Sequence, residues 1–159
     1  MQHFTFKAAD DGTFCAVSYE GNEPHVTVPD TYCGMPVTII YDRLFKGHTE
    51  ITSVKLPDSI TDIGAGAFDG CTGLKELTLP RELRNMWQYA FVRSSIEHLE
   101  LPEKVEYIVP FTFQDCKQLK SLVCPKGLKR IGSWAFRGCD ALTELTVSPE
   151  TEISPKARD

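Results

Sequence analysis

The stretch "IGAGAFDGC", Ile63 to Cys71, carries the first residues whose types and spacing could do chemistry. Gly64, Gly66 and Gly70 sit two and four residues apart, close to the glycine fingerprint of a dinucleotide-binding turn. That chemistry needs a strand before the turn, a helix after it to receive the pyrophosphate, and an acidic residue about 20 residues on. None of this surrounds the three glycines, and no cofactor is expected. Cys71, Cys116 and Cys139 are the next candidates. A zinc site needs four ligands converging on one point, and a nucleophilic thiol needs a recurring His or Lys beside it to lower its pKa. Neither pattern is present, so no metal and no reactive thiol is expected. His3, His25, His48 and His98 are scattered along the chain, with no G-x-S-x-G, H-E-x-x-H or P-loop. Glu97 and Glu100 read as a solvated face rather than a catalytic pair. A nucleophile held by an oriented base is therefore missing, and the expectation is a protein that is not an enzyme.

The elements that carry these residues are set by a repeat. "IYDRLFKGH" (40–48), "IGAGAFDGC" (63–71), "MWQYAFVRS" (86–94), "IVPFTFQDC" (108–116) and "IGSWAFRGC" (131–139) share an apolar first residue and a phenylalanine at the sixth. Phe45, Phe68, Phe91, Phe113 and Phe136 follow one another at spacings of 23, 23, 22 and 23 residues. Pro57, Pro80, Pro102, Pro125 and Pro149 keep the same period and close segments such as Leu77-Thr78-Leu79, whose alternation is that of a half-buried strand. Apolar columns lie between these markers: Val37, Ile60, Leu83, Val105, Leu128, then Ile51, Leu74, Ile96, Leu119, Leu142, then Val54, Leu77, Leu99, Leu122, Leu145. One repeat cannot bury its inward positions alone, so neighbours must stack into a solenoid. The strand segments are expected side by side in one parallel sheet.

The pattern I-x-x-I-G-x-x-A-F-x-G-C-x-x-L-x-x-L-x-L-P, complete in residues 60–80 and nearly so in 128–149, resembles the BspA-like class of leucine-rich repeats. The departures are a deletion after Arg93, Pro110 and Phe111 in the fourth copy, and Ser148 inserted in the fifth. The resemblance implies a leucine-rich-repeat solenoid, β-rich, with a short parallel sheet and mostly irregular or short helical connections. It divides the chain into an N-terminal β cap over 1–36 and five repeats over 37–149, and the polar, charged residues 150–159 that follow are expected to form a mobile tail. It also implies a bacterial adhesion or surface protein. It assigns no binding residue, because every matched position is scaffold.

Composition narrows the partners. A chain of 159 residues with a net charge of -5 and no basic run offers no electrostatic footprint for nucleic acid. No window reaches the roughly 18 apolar residues of a membrane span, so no membrane insertion is expected. The N-terminus lacks the basic and apolar regions of a secretion signal. The expectation is a cytoplasmic chain as written, or a surface or secreted one if these residues are an excised domain. Six cysteines in a chain with an adequate core favour reduced thiols, with a Cys15–Cys33 disulfide as the open alternative.

Two surface stripes remain as candidates for a partner. One is the outward face of the strands, where His98 and Glu100 lie. The other is the position held by Arg43, Gly66, Tyr89, Phe111 and Trp134, with Trp87 beside it. Aromatic residues dominate binding hot spots, although large residues here could also lie flat over the coil beneath. The expected function is a non-catalytic protein-interaction module. A carbohydrate-binding module stacking sugars on Tyr89, Phe111 and Trp134 is an alternative, as is a structural spacer joined through repeat edges. The chain is expected to be a monomer with possible edge pairing.

Overall fold

The computed structural model describes all 159 residues, and they form a solenoid of β-strands and turns with no helix. The strands are β1 (His3–Ala8), β2 (Phe14–Glu20), β3 (His25–Thr27), β4 (Thr31–Tyr32) and β5 (Met35–Ile40), followed by β6 (Ser53–Lys55) and β7 (Asp62–Ile63). After them come β8 (Asn85–Met86), β9 (His98–Glu100), β10 (Tyr107–Ile108), β11 (Ser121–Val123), β12 (Arg130–Ile131), β13 (Glu144–Thr146) and β14 (Glu152–Ile153). From β6 to Phe136 each rung passes through a short extended segment that ends at proline, then a two-residue strand, then the phenylalanine turn.

The expected single parallel sheet is broken into shorter ladders. β3 pairs with β6, a lone bridge joins Ser53 to Glu76, and β9, β11 and β13 pair in parallel and in register. A second parallel ladder was not foreseen. It runs β2, β5, β7, β8 and resumes as β10, β12, β14. Its break falls between Met86 and Ile108, across the step where the repeat shortens to 22 residues. Residues 1–36 are not set apart from the repeats. β1 and β2 form an antiparallel hairpin, yet β2 and β3 each enter a repeat ladder in parallel.

The core is a stack of phenylalanine rings. Phe45, Phe68, Phe91, Phe113 and Phe136 are all buried, with successive centroids 5.3, 5.4, 5.4 and 5.8 Å apart. Phe4 and Tyr19 cover the Phe45 end of this spine at 6.3 and 5.4 Å. The leucine and isoleucine columns close around it, with only Leu145 partly exposed. The other end overturns the mobile-tail expectation. β14 pairs with β12, Phe136 N–H donates to Ala157 C=O at 2.8 Å, and Thr151 and Ala157 are buried. The segment continues the coil because its small residues seal the last phenylalanine and its backbone satisfies the open ladder. No disulfide forms. Cys15 is buried in β2 whereas Cys33 is exposed in the turn between β4 and β5 at φ 50°, and all six thiols are free.

Candidate functional site

The geometry of the surface begins in the turn before each phenylalanine. Arg43, Gly66, Tyr89, Phe111 and Trp134 all take φ between 60° and 65°. This left-handed conformation is the natural place for glycine and costs a bulky residue about 1–2 kcal/mol. The turns nevertheless hold it, because backbone hydrogen bonds lock one rung to the next: Arg43 to Ala65 at 2.9 Å, Phe68 to Ala90 at 2.8 Å, Phe113 to Ala135 at 2.9 Å. The glycines of the opening stretch thus do two different jobs. A Cβ on Gly64 would stand 2.6 Å from the Asp42 nitrogen and 2.7 Å from the Tyr41 carbonyl carbon, so Gly64 lets two rungs approach. Gly66 and Gly70 supply positive φ, at 63° and 73°.

The left-handed turn directs the side chain at the Gly66 position outward, and the aromatic ones form a second column outside the core. Tyr89 and Phe111 stack with centroids 5.0 Å apart at 11°, and Phe111 and Trp134 at 5.2 Å and 10°. The ring faces are therefore spent on one another. A sugar platform needs open faces, and the column offers mainly edges. Tyr89 is its most exposed member and Trp87 stands beside it, 46% exposed. Beside them a shallow groove of about 530 Å³ is lined by Asp42, Ala65, Trp87, Gln88, Val109 and Pro110. A second trough, of about 360 Å³, continues past Val109 and Pro110 to Tyr107, which is 48% exposed beneath Lys129. Tyr107 was missed in the sequence, where only its place on the outward side of a two-residue strand could have marked it.

The strand face is a separate surface. His98 and Glu100 are exposed on β9, and His98 Nδ1 lies 2.7 Å from Ser121 Oγ on the next rung. His25 and Ser53 repeat that contact at 2.8 Å, which brings His25 onto the same face. Trp87, Tyr89, Phe111 and Trp134 thus belong to one edge, while His98 and Glu100 belong to another.

A family model described as the BspA type leucine-rich repeat region matches six copies over residues 38–157. The chain belongs to the BspA-type leucine-rich repeat family. The match extends to residue 157, into the rung built from residues after Pro149, and the connections of these BspA-type repeats are turns throughout. Among solved structures, a leucine-rich repeat protein of T. pallidum is 28% identical, with a TM-score of 0.75 over 94% of this chain and 82% of that one. A leucine-rich cell surface protein of Faecalibacterium prausnitzii is 24% identical, with a TM-score of 0.61, and this chain covers 55% of it. A leucine-rich repeat protein of Bacteroides capillosus is 24% identical, with a TM-score of 0.57 over 91% of this chain and 93% of that one. The latter two likenesses speak for the fold. No curated protein matches the sequence significantly.

Within the BspA-type repeat the cysteine column is structural. Cys71, Cys116 and Cys139 donate to the carbonyls of Phe45, Phe91 and Phe113 at 3.1, 3.0 and 2.9 Å, so each thiol ties one rung to the phenylalanine turn of another. Burial, with Asp69 and Glu50 nearby, pushes the Cys71 thiol up to about 12, and burial alone pushes Cys124 to about 11. A neutral thiol is a poor nucleophile and a poor ligand. No three His, Cys, Asp or Glu side chains gather as a metal site. Rung-to-rung ion pairs add register. Asp69, nearly buried, receives Arg93 from the following rung and Lys46 from the preceding one.

Proposed function

We propose that this BspA-type domain is a non-catalytic module that binds a protein partner along the turn edge carrying Trp87, Tyr89, Phe111 and Trp134. The observation that carries this reading is the energetic idleness of the outer column. Two stacked pairs contribute roughly 1–3 kcal/mol together, whereas holding three aromatic residues in left-handed backbone costs roughly 3–6 kcal/mol. Glycine at the same place, as in Gly66, satisfies the turn without strain. Folding therefore gives no reason to keep rings on this edge, whereas an interface does, because rigid aromatic side chains lose little entropy on binding. A role in adhesion or surface recognition is part of this proposal; the likeness to a leucine-rich cell surface protein is one of fold. The strand face with His98 and Glu100 is a secondary contact.

Affinity capture from the source organism tests the reading. Capture with the wild-type domain is compared with a Trp87→Ala/Tyr89→Gly pair and a His98→Ala/Glu100→Ala pair. The partner should be lost with the first pair and kept with the second. An unchanged set of captured proteins in the edge variant would refute this assignment.

A further inference from the structure

The two troughs beside the outer column join into one groove. The trough lined by Asp42, Trp87 and Gln88 and the trough lined by Tyr107, Arg130 and Ser133 share Val109 and Pro110. The joint path runs along the solenoid axis from the rung of Asp42 to the rung of Arg130, four repeats on, which is about 19 Å at the spacing of a parallel ladder. Val109 and Pro110 are its apolar middle. Pro110 sits close against the next rung because Gly132 has no side chain: a Cβ there would stand 2.9 Å from the Pro110 nitrogen. Trp87 and Tyr107, each about half exposed, bring an indole N–H and a phenol O–H to the groove. The two ends differ in charge. Asp42 is exposed, with its Oδ1 accepting the Ala65 N–H at 2.8 Å, and Arg130 is exposed on β12. Neither joins an ion pair of the chain.

We propose that this groove receives a proline-rich segment of the protein partner in the polyproline II conformation, with a basic residue at Asp42 and an acidic residue at Arg130. The occupant follows from what the groove offers. A strand has no edge to join, because the backbone of the floor is already bonded rung to rung and crosses the groove: Trp87 N–H donates to Ile63 C=O at 3.0 Å and Gly132 N–H to Ile108 C=O at 2.8 Å. A helix is about 10–12 Å across with its side chains and needs a broad apolar channel, whereas the apolar lining here is confined to a few residues around Val109 and Pro110. A polyproline II segment makes no internal hydrogen bonds, so its carbonyls are free for donors such as those of Trp87 and Tyr107, and its preformed shape packs on aromatic walls at little entropic cost. At about 3.1 Å per residue, about six residues span the path between the two charges, which fixes the spacing of the charged residues on the ligand. This inference rests on the turn edge around Trp87 being the partner surface, and it names the kind of segment that fits there.

The probe is a peptide of one lysine, five prolines and one aspartate, acetylated and amidated at its ends and titrated to millimolar concentration into the ¹⁵N-labelled domain. Saturable shifts should appear at the Trp87 indole N–H and at the amides of Gln88, Val109 and Ser133. Trp87→Ala should weaken binding on the order of tenfold, as loss of an aromatic anchor does. Arg130→Glu should weaken it about fivefold, since one exposed ion pair becomes a repulsion, and should instead prefer the same peptide with lysine at both ends. Both substitutions are at exposed side chains and should keep the wild-type melting temperature within a few degrees, so lost binding reports on the groove and not on unfolding. No saturable shift, or binding indifferent to both substitutions, would overturn the inference. So would equal binding of a peptide with alternating glycine and serine in place of the prolines, which would leave no preference for the polyproline shape. If the probe fails while capture still depends on Trp87 and Tyr89, the edge binds its partner by other chemistry and only the proline-rich ligand is lost.

Discussion

The stacked core makes a sharp prediction for three substitutions within one nine-residue stretch. Phe68 is fully buried between Phe45 at 5.3 Å and Phe91 at 5.4 Å. Truncating a buried phenylalanine to alanine costs roughly 3–5 kcal/mol, and losing two ring contacts places Phe68→Ala toward the upper end. For a chain of this size each kcal/mol moves the melting temperature by about 2–4 °C, so the expected loss is on the order of 10–20 °C. Gly64→Ala is intermediate. Its new methyl meets backbone atoms of Tyr41 and Asp42 at 2.6–2.7 Å, and two rungs must part to admit it, which costs about 1–3 kcal/mol. Gly66→Tyr is close to neutral. It takes on about 1–2 kcal/mol of left-handed strain and recovers about 0.5–1.5 kcal/mol by stacking on Tyr89. Urea denaturation followed by tryptophan fluorescence, with a thermal melt by circular dichroism, gives all three values. The reasoning fails if Gly66→Tyr destabilises as much as Gly64→Ala, or if Phe68→Ala costs less than about 2 kcal/mol.

Thiol accessibility should separate Cys33 from the rest: a colorimetric thiol reagent at pH 8 should modify one cysteine of the native protein quickly and all six in denaturant. Rapid modification of Cys71 or Cys124 would contradict thiols held at about 12 and about 11. Deleting residues 150–159 uncovers Phe136 and frees the β12 edge, so it should lower stability by several kcal/mol and promote association in light scattering. A truncated chain that melts with the full one would show that the sixth rung adds nothing. Trp134→Gly trades one stacked contact for relief of a left-handed tryptophan and should fall within about 1 kcal/mol of wild type in denaturant titrations.

The sequence made some levels of this structure legible and concealed others. Phe45 through Phe136 and the leucine columns were readable because burial in a stacked coil forces the same residue class at the same period. Asp62–Ile63 and Arg130–Ile131 were not, since a two-residue strand is too short to show alternation. The left-handed turn was hidden for a different reason. Arg43, Tyr89, Phe111 and Trp134 are residues that ordinarily argue against positive φ, and only Gly66 hinted at it. The sixth rung left a faint trace: Ile153 and Ala157 keep the four-residue separation of Ile131 and Ala135, but no phenylalanine follows, and the polar composition suggested a loose end. The contact residues fared unevenly. Tyr89, Phe111 and Trp134 were correctly grouped by repeat position, yet their mutual stacking, which removes the faces a sugar would need, depends on rung spacing and side-chain direction that no single repeat displays.

The two aromatic columns differ in what constrains them, and that difference carries the functional argument. The inner phenylalanines have no substitute, because each is walled by its neighbours on both faces and by the leucine columns around it. The outer position is held by the same backbone, but its rings are walled by one another alone, so stacking offsets only part of the left-handed strain, and Arg43, glycine and aromatic residues are all accommodated there. A column of rings that runs from Tyr89 to Trp134 at a net cost to the fold is the feature that supports a partner on this edge.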